Sequence, residues 1–151
     1  MSLFSLALLA STAFAGPKVW IFSGDPGDDL HHEFYQKNLT SLRKIFTQTY
    51  GVASQDLRIF YGPKDAGYDG ICTKEVLLSE LKDAAAATKD KSPVWVILQG
   101  HANSIPGGVL FNLPGVDVSA REIGEALEGA VPETPLVILA TTAASEQYLR
   151  P

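Results

Sequence analysis

The sequence predicts an α/β fold, a three-layer sandwich in which helices cover both faces of a mostly parallel sheet, in the order β-α-β-α-β-hairpin-α-β-α. Three observations carry this. Short runs of β-branched residues alternate with longer stretches of helical spacing. Each run gives way to glycine or to small residues, as strands do where they turn into loops. The run Val94-Trp95-Val96-Ile97-Leu98 is continuously apolar rather than alternating, which suits a strand buried on both faces of a parallel sheet.

In chain order, Lys18 to Phe22 (KVWIF) is the first strand, and it runs into an acidic, glycine-containing loop, Ser23 to Asp29. Leu30 to Tyr50 has helical spacing. Leu30, Phe34, Leu39, Leu42, Ile45 and Phe46 form its expected inner stripe, Asp28 or Asp29 its N-cap, and Gly51 its stop. Asp56 to Tyr61 is the second strand, and Gly62 to Gly70 is a loop. Thr73 caps a helix running to about Thr88, with Val76, Leu77 and Leu81 inward. The strand from Val94 ends at Gly100, and His101 follows at once. Val109-Leu110-Phe111 reads as a hairpin arm after Pro106-Gly107-Gly108. Asp117 or Ser119 caps a third helix, Ala120 to Ala130. Leu136 to Ala140 is the fourth main strand, and Glu146 to Leu149 opens a further helix. Right-handed crossovers then bring three loops to one sheet edge: Gly24 to Asp29, Gly100 to Ser104, and Thr141 to Ser145.

The chain of 151 residues is expected to form one domain, residues 16–151, behind a signal peptide. Residues 1–15 carry no charge, have an apolar centre from Leu3 to Ala10, and end in Ala13-Phe14-Ala15, an A-x-A site that predicts cleavage after Ala15. That segment is too short to span a bilayer, so the expected product is secreted or periplasmic, with no membrane span in the mature chain. A net charge of −5 without any lysine or arginine cluster argues against nucleic acid as a partner. Cys72 is the only cysteine, which excludes an intramolecular disulfide, and it is read as a structural thiol. No G-x-S-x-G, G-x-x-x-x-G-K-[ST] or G-x-G-x-x-G pattern occurs, so the usual serine hydrolases, P-loop enzymes and dinucleotide enzymes are disfavoured and no cofactor is expected.

His101 is the leading candidate for chemistry, because an imidazole serves as general base or acid near neutral pH. Its partners should come from the next strand tip, which offers Thr141, Thr142 and Ser145. Asp25 and Asp28 are expected to line the same cleft, although turn formation and helix capping explain the acidic loop well. His31-His32-Glu33 does not read as a metal motif. Neighbouring helical residues project about 100° apart and HExxH spacing is missing, so no metal is expected there. Asn38-Leu39-Thr40 fits a glycosylation acceptor but falls inside the first helix.

Two stretches, VWVILQGHAN and LVILATTAAS, together resemble the caspase-like cysteine peptidases, most closely their legumain-like branch. Asp25-Pro26-Gly27-Asp28-Asp29 leading into a histidine-bearing helix adds to this, as does Phe111-Asn112-Leu113-Pro114-Gly115-Val116-Asp117, which is similar to the FNLPGxD segment of bacterial exported relatives. The resemblance spans roughly Lys18 to Ser145 and implies a caspase-like sandwich with a peptide or protein as substrate or ligand. It implies His101 as the base, Thr142 at the position of the nucleophilic cysteine, and backbone N–H groups near Gly100 and Ala102 as the oxyanion site. Active members carry cysteine where Thr142 stands, or, in the alternative alignment, where Thr141 stands, and more often glycine where Ala102 stands. A threonine hydroxyl is poorly activated by histidine alone, so the resemblance implies an inactive or atypical peptidase homologue. The alternative is an exported binding or scaffold module without catalysis. Caspase-like chains continue beyond this point with further pocket-building strands. The sequence therefore reads as truncated after the fourth main strand, as completed by a partner, or as lacking that pocket.

Overall fold

A computed structural model describes residues 16–63 and 67–149; the expected signal peptide and the end of the chain lie outside the described residues. The expected three-layer α/β/α architecture is present. Strands β1 (Lys18–Ser23), β2 (Leu57–Tyr61), β3 (Gly70–Ile71), β4 (Val94–Gln99) and β8 (Leu136–Thr141) form one parallel sheet in the order β3-β2-β1-β4-β8. A second, antiparallel sheet joins β5 (Ala102–Ile105), β6 (Gly108–Phe111) and β7 (Val118–Ser119). The hairpin arm expected at Val109 to Phe111 is β6. The short strands β3 and β7 leave no signal in the sequence, because two residues carry no periodicity.

The middle of the main sheet is β1, with β4 beside it rather than at the centre. The chain winds outward from β1 to β2 and β3 on one side, then returns to lay β4 and β8 on the other. Reversing the winding direction sends right-handed crossovers to opposite faces. Helix α1 (Asp29–Lys44) therefore covers one face, with Val19, Ile21, Tyr35, Leu39, Phe46, Ile59 and Ile97 in its core layer. Helices α2 (Lys74–Ala87) and α3 (Ala120–Leu127) cover the other, over Trp20, Phe22, Val94, Val96, Leu98, Leu77, Leu81 and Ile123. Alternation along β4 serves both layers: Val94, Val96 and Leu98 point one way, and Ile97 points the other. Each of these aliphatic side chains contributes about 1.5–3 kcal/mol by leaving water.

Local capping follows the sequence. The Asp28 side chain caps α1 by accepting from the His31 N–H, and Thr73 caps α2 by accepting from Val76. Ser119, rather than Asp117, caps α3 in a reciprocal capping box with Glu122. Asp117 instead accepts from the Leu113 N–H and closes its own loop. The first helix departs from expectation on its inner face. Leu30 and Phe34 are 74% and 56% exposed and Ile45 is exposed too, whereas Tyr35, Leu39 and Phe46 are buried. Of the expected stripe, Leu39, Leu42 and Phe46 dock and Leu30, Phe34 and Ile45 do not, and Tyr35 joins the buried side. After Lys44 the helix widens into a π-type turn, Ile45–Thr49, which brings Phe46 inward before Gly51 ends it with φ +66°.

Glu122 bonds the N–H and hydroxyl of Ser119 and lies 2.7 Å from the Lys74 ammonium on α2. The Lys74 ammonium first, then the Ser119 N–H, hold its carboxyl down to about 2, against an ordinary 4.5. A folded-state value below the unfolded one stabilises the fold above pH 4.5, and that contribution is lost as pH falls toward 2. The side chain is about a third exposed, so solvent screens much of the pairing. Glu122→Gln is expected to cost about 1 kcal/mol at pH 7 and almost nothing near pH 2, measured by urea unfolding at both.

Candidate functional site at the sheet edge

Where the winding reverses, the loops leaving β1 and β4 diverge, and open α/β sheets place ligands in the crevice this creates. His101 stands there. Three in-register glycines shape this edge: Gly24, Gly62 and Gly100 each follow the last paired residue of β1, β2 and β4. The absence of side chains lets the hairpin fold back over the strand ends. The Phe111 ring packs on Gly24 and Gly100, the Asn112 N–H donates to the His101 carbonyl, and the Asn112 carbonyl accepts from the Asp25 N–H. The Phe111-Asn112 pair thereby ties the end of β4 to the loop after β1.

His101 is half-buried, with its Nε2 3.1 Å from the Pro26 carbonyl. A carbonyl only accepts, so Nε2 carries the hydrogen and Nδ1 of the neutral ring is the bare nitrogen. His31, one turn into α1, lies against it with ring centroids 4.4 Å apart, and the Tyr35 ring is 5.9 Å away. His31 Nδ1 is in turn held by both Asp28 carboxylate oxygens, at 2.8 and 2.9 Å. The His31 backbone N–H and ring hold the Asp28 carboxyl below its usual range, so it is ionised at neutral pH. Burial, and secondarily the Asp28 charge, raise the Tyr35 phenol, which stays protonated.

A groove of about 570 Å³ runs between α1 and β8 past this cluster. Gly100, His101 and Thr141 line it together with His31, Tyr35 and Gln99, and Phe34, Ile97 and Leu139 give it apolar walls. Thr141 donates its hydroxyl to the Leu98 carbonyl. Thr142 follows at the strand tip, where its hydroxyl donates to the Ala143 carbonyl. Ser145 belongs to a second groove of about 540 Å³ on the opposite face of β8, with Ile123, Ile138 and Tyr148. Burial raises the Tyr148 phenol. Ala102 opens β5, paired with Phe111.

The acids after β1 serve the loop first. Asp25 accepts from the Gly27 N–H in a tight turn, and Asp28 caps α1 and reaches His101 only through His31. His31 and His32 part company, as their angular separation predicts: His32 Nδ1 meets the Tyr61 hydroxyl at 2.7 Å. Among the described residues no group of three or more His, Cys, Asp or Glu side chains is arranged to hold a metal ion. Among them, too, no helix is long and apolar enough to cross a membrane. Cys72 is fully buried and its thiol is pushed up by burial, so it is a core side chain and not a nucleophile. Sequence reasoning missed His31, Tyr35 and Gln99 as neighbours of His101. The available signal was the position of His31, one turn after a loop that leaves the same sheet edge. No protein-family model matches the chain, and comparison with curated proteins finds no match.

Proposed function

We propose that the chain is an exported homologue of the legumain- and caspase-like peptidases whose strand-end site binds peptide, with cysteine-type hydrolysis lost because Thr142 stands where the nucleophile would be. The observation that carries this reading is the state of His101. It stands at the end of β4, next to β8, with one ring nitrogen tied to the Pro26 carbonyl and the other bare, as a general base must be. Gly100 and Ala102 flank it as backbone donors for an oxyanion, and the peptide crosses the carboxyl ends of β4 and β8.

The second reading, a binding or scaffold module that never turned over substrate, is favoured by the Thr142 hydroxyl. It is engaged with the Ala143 carbonyl and not with an imidazole. A quenched-fluorescence peptide library, with His101→Ala run beside the parent, separates the two. On the first reading peptides bind with little or no cleavage, any cleavage falls at least about 100-fold in His101→Ala, and affinity falls with it. Peptide binding that survives His101→Ala unchanged favours the scaffold module, and no peptide binding in either protein removes the strand-end site from both readings.

A further inference from the structure

The contact between His31 and His101 points past peptide binding. We propose that these two rings form a bis-imidazole site for an exchangeable divalent cation of the zinc, nickel or copper type, with water completing the shell. The argument rests on which nitrogens are already engaged. His31 Nδ1 faces the Asp28 carboxylate and His101 Nε2 faces the Pro26 carbonyl, and both partners only accept. Each of those nitrogens therefore carries a hydrogen, and the tautomer this fixes puts the lone pair of the ring at His31 Nε2 and at His101 Nδ1. Histidines that ligate metals have this same arrangement, the distal N–H given to a carboxylate or a backbone carbonyl, which fixes the tautomer and raises the basicity of the ligating nitrogen.

The spacing agrees. Two imidazoles bound to one ion at about 2.0–2.1 Å, with a ligand angle between about 90° and 109°, have ring centroids roughly 4.5–5.3 Å apart. The observed separation is 4.4 Å, just under that range, with the ring planes 69° apart, and the side chain of His31 is 39% exposed. Both rings line the 570 Å³ groove, which has room for the waters, and Thr141 lines it too. Asp28 stays one step removed, bound to His31, and supplies the negative charge that favours a cation at the ring. Two protein ligands hold an ion loosely, which suits an exchangeable ion and not a structural one. A cation there would occupy His101 Nδ1, the nitrogen a base needs.

The test is a titration of the untagged full chain with zinc chloride alone, followed by calorimetry and by ring-nitrogen NMR of the histidines. One ion per chain is expected, shifting His31 Nε2 and His101 Nδ1 and leaving His32 in place. His31→Ala and His101→Ala should each weaken binding at least tenfold, Asp28→Asn about tenfold, and His32→Ala not at all. Absence of saturable binding in the millimolar range overturns the proposal. So does binding retained in both single variants, or a shift centred on His32. Should a variant misfold, the ring shifts of the parent protein decide alone. No peptide takes part, so failure of the peptide-site reading leaves this result standing, and the reverse holds as well.

Discussion

Gly24→Ala is expected to melt about 6–12 °C below the parent protein, a loss of about 3 kcal/mol. A Cβ at this position would lie 2.3 Å from the Asn112 carbonyl oxygen and 3.1 Å from the Phe111 ring. The carbonyl cannot retreat easily. The Asn112 peptide units on either side are held, at 3.0 Å each, to the Asp25 N–H and the His101 carbonyl. There is little slack around it: the backbones of Gly62 and Gly24 run so close that a Cβ on Gly62 would meet the Gly24 carbonyl at 2.7 Å, and Phe111 is seated on Gly100, where a Cβ would meet its ring at 3.0 Å. Gly108→Ala is the control. Its Cβ would have no atom within 4 Å, and a change within about 0.5 kcal/mol is expected. Thermal unfolding of the two variants side by side measures the difference, and equal melting temperatures would dismiss the glycine edge as a packing device. Because this edge carries His101, Gly24→Ala should also weaken peptide and zinc binding.

The second large effect is a gain. Thr142→Cys is expected to create a thiol that reacts with iodoacetamide and cleaves peptides, both from an undetectable baseline. A thiol is already partly ionised at neutral pH, whereas a threonine hydroxyl needs a base to remove its proton in the attack itself. The variant keeps everything else at the strand end: the bare nitrogen of His101, the adjacent β8 tip and the glycine-shaped edge. Cleavage by Thr142→Cys should fall about 100- to 10,000-fold when His101→Ala is added, the range that loss of a general base produces. Cys72 is buried and protonated, so it contributes no background labelling in the folded chain. If Thr142→Cys is labelled but cleaves nothing, the scaffold reading gains and the peptidase ancestry loses its main support. Thr141→Cys is the natural companion, because Thr141 shares the groove with His101. Activity in that variant alone would move the nucleophile position by one residue.

Much of this protein is written in short-range pattern. The four longer parallel strands are visible as apolar runs, Thr73 as a cap, and Asp28 and Ser119 each as one of two candidate caps, because strand burial and capping depend on residues a few positions apart. The placing of His101 at a strand end is legible for the same reason: Gly100 ends the run, and the next residue must stand at the edge. The tertiary structure alone decided that β1 and not β4 lies at the centre, since which strands neighbour one another is not encoded within any of them. It alone decided which face of α1 docks. The helix carries apolar side chains around more than one stripe, and the angle at which it meets the sheet buried Tyr35 and Leu39 while leaving Leu30 and Phe34 in water. The same docking brought the His31 ring to 4.4 Å, centroid to centroid, from a ring 70 residues later in the chain. The sequence determined the longer strands and helices; packing determined the short strands β3, β5 and β7 and which residues meet, because contact between distant segments is a property of the assembled layers.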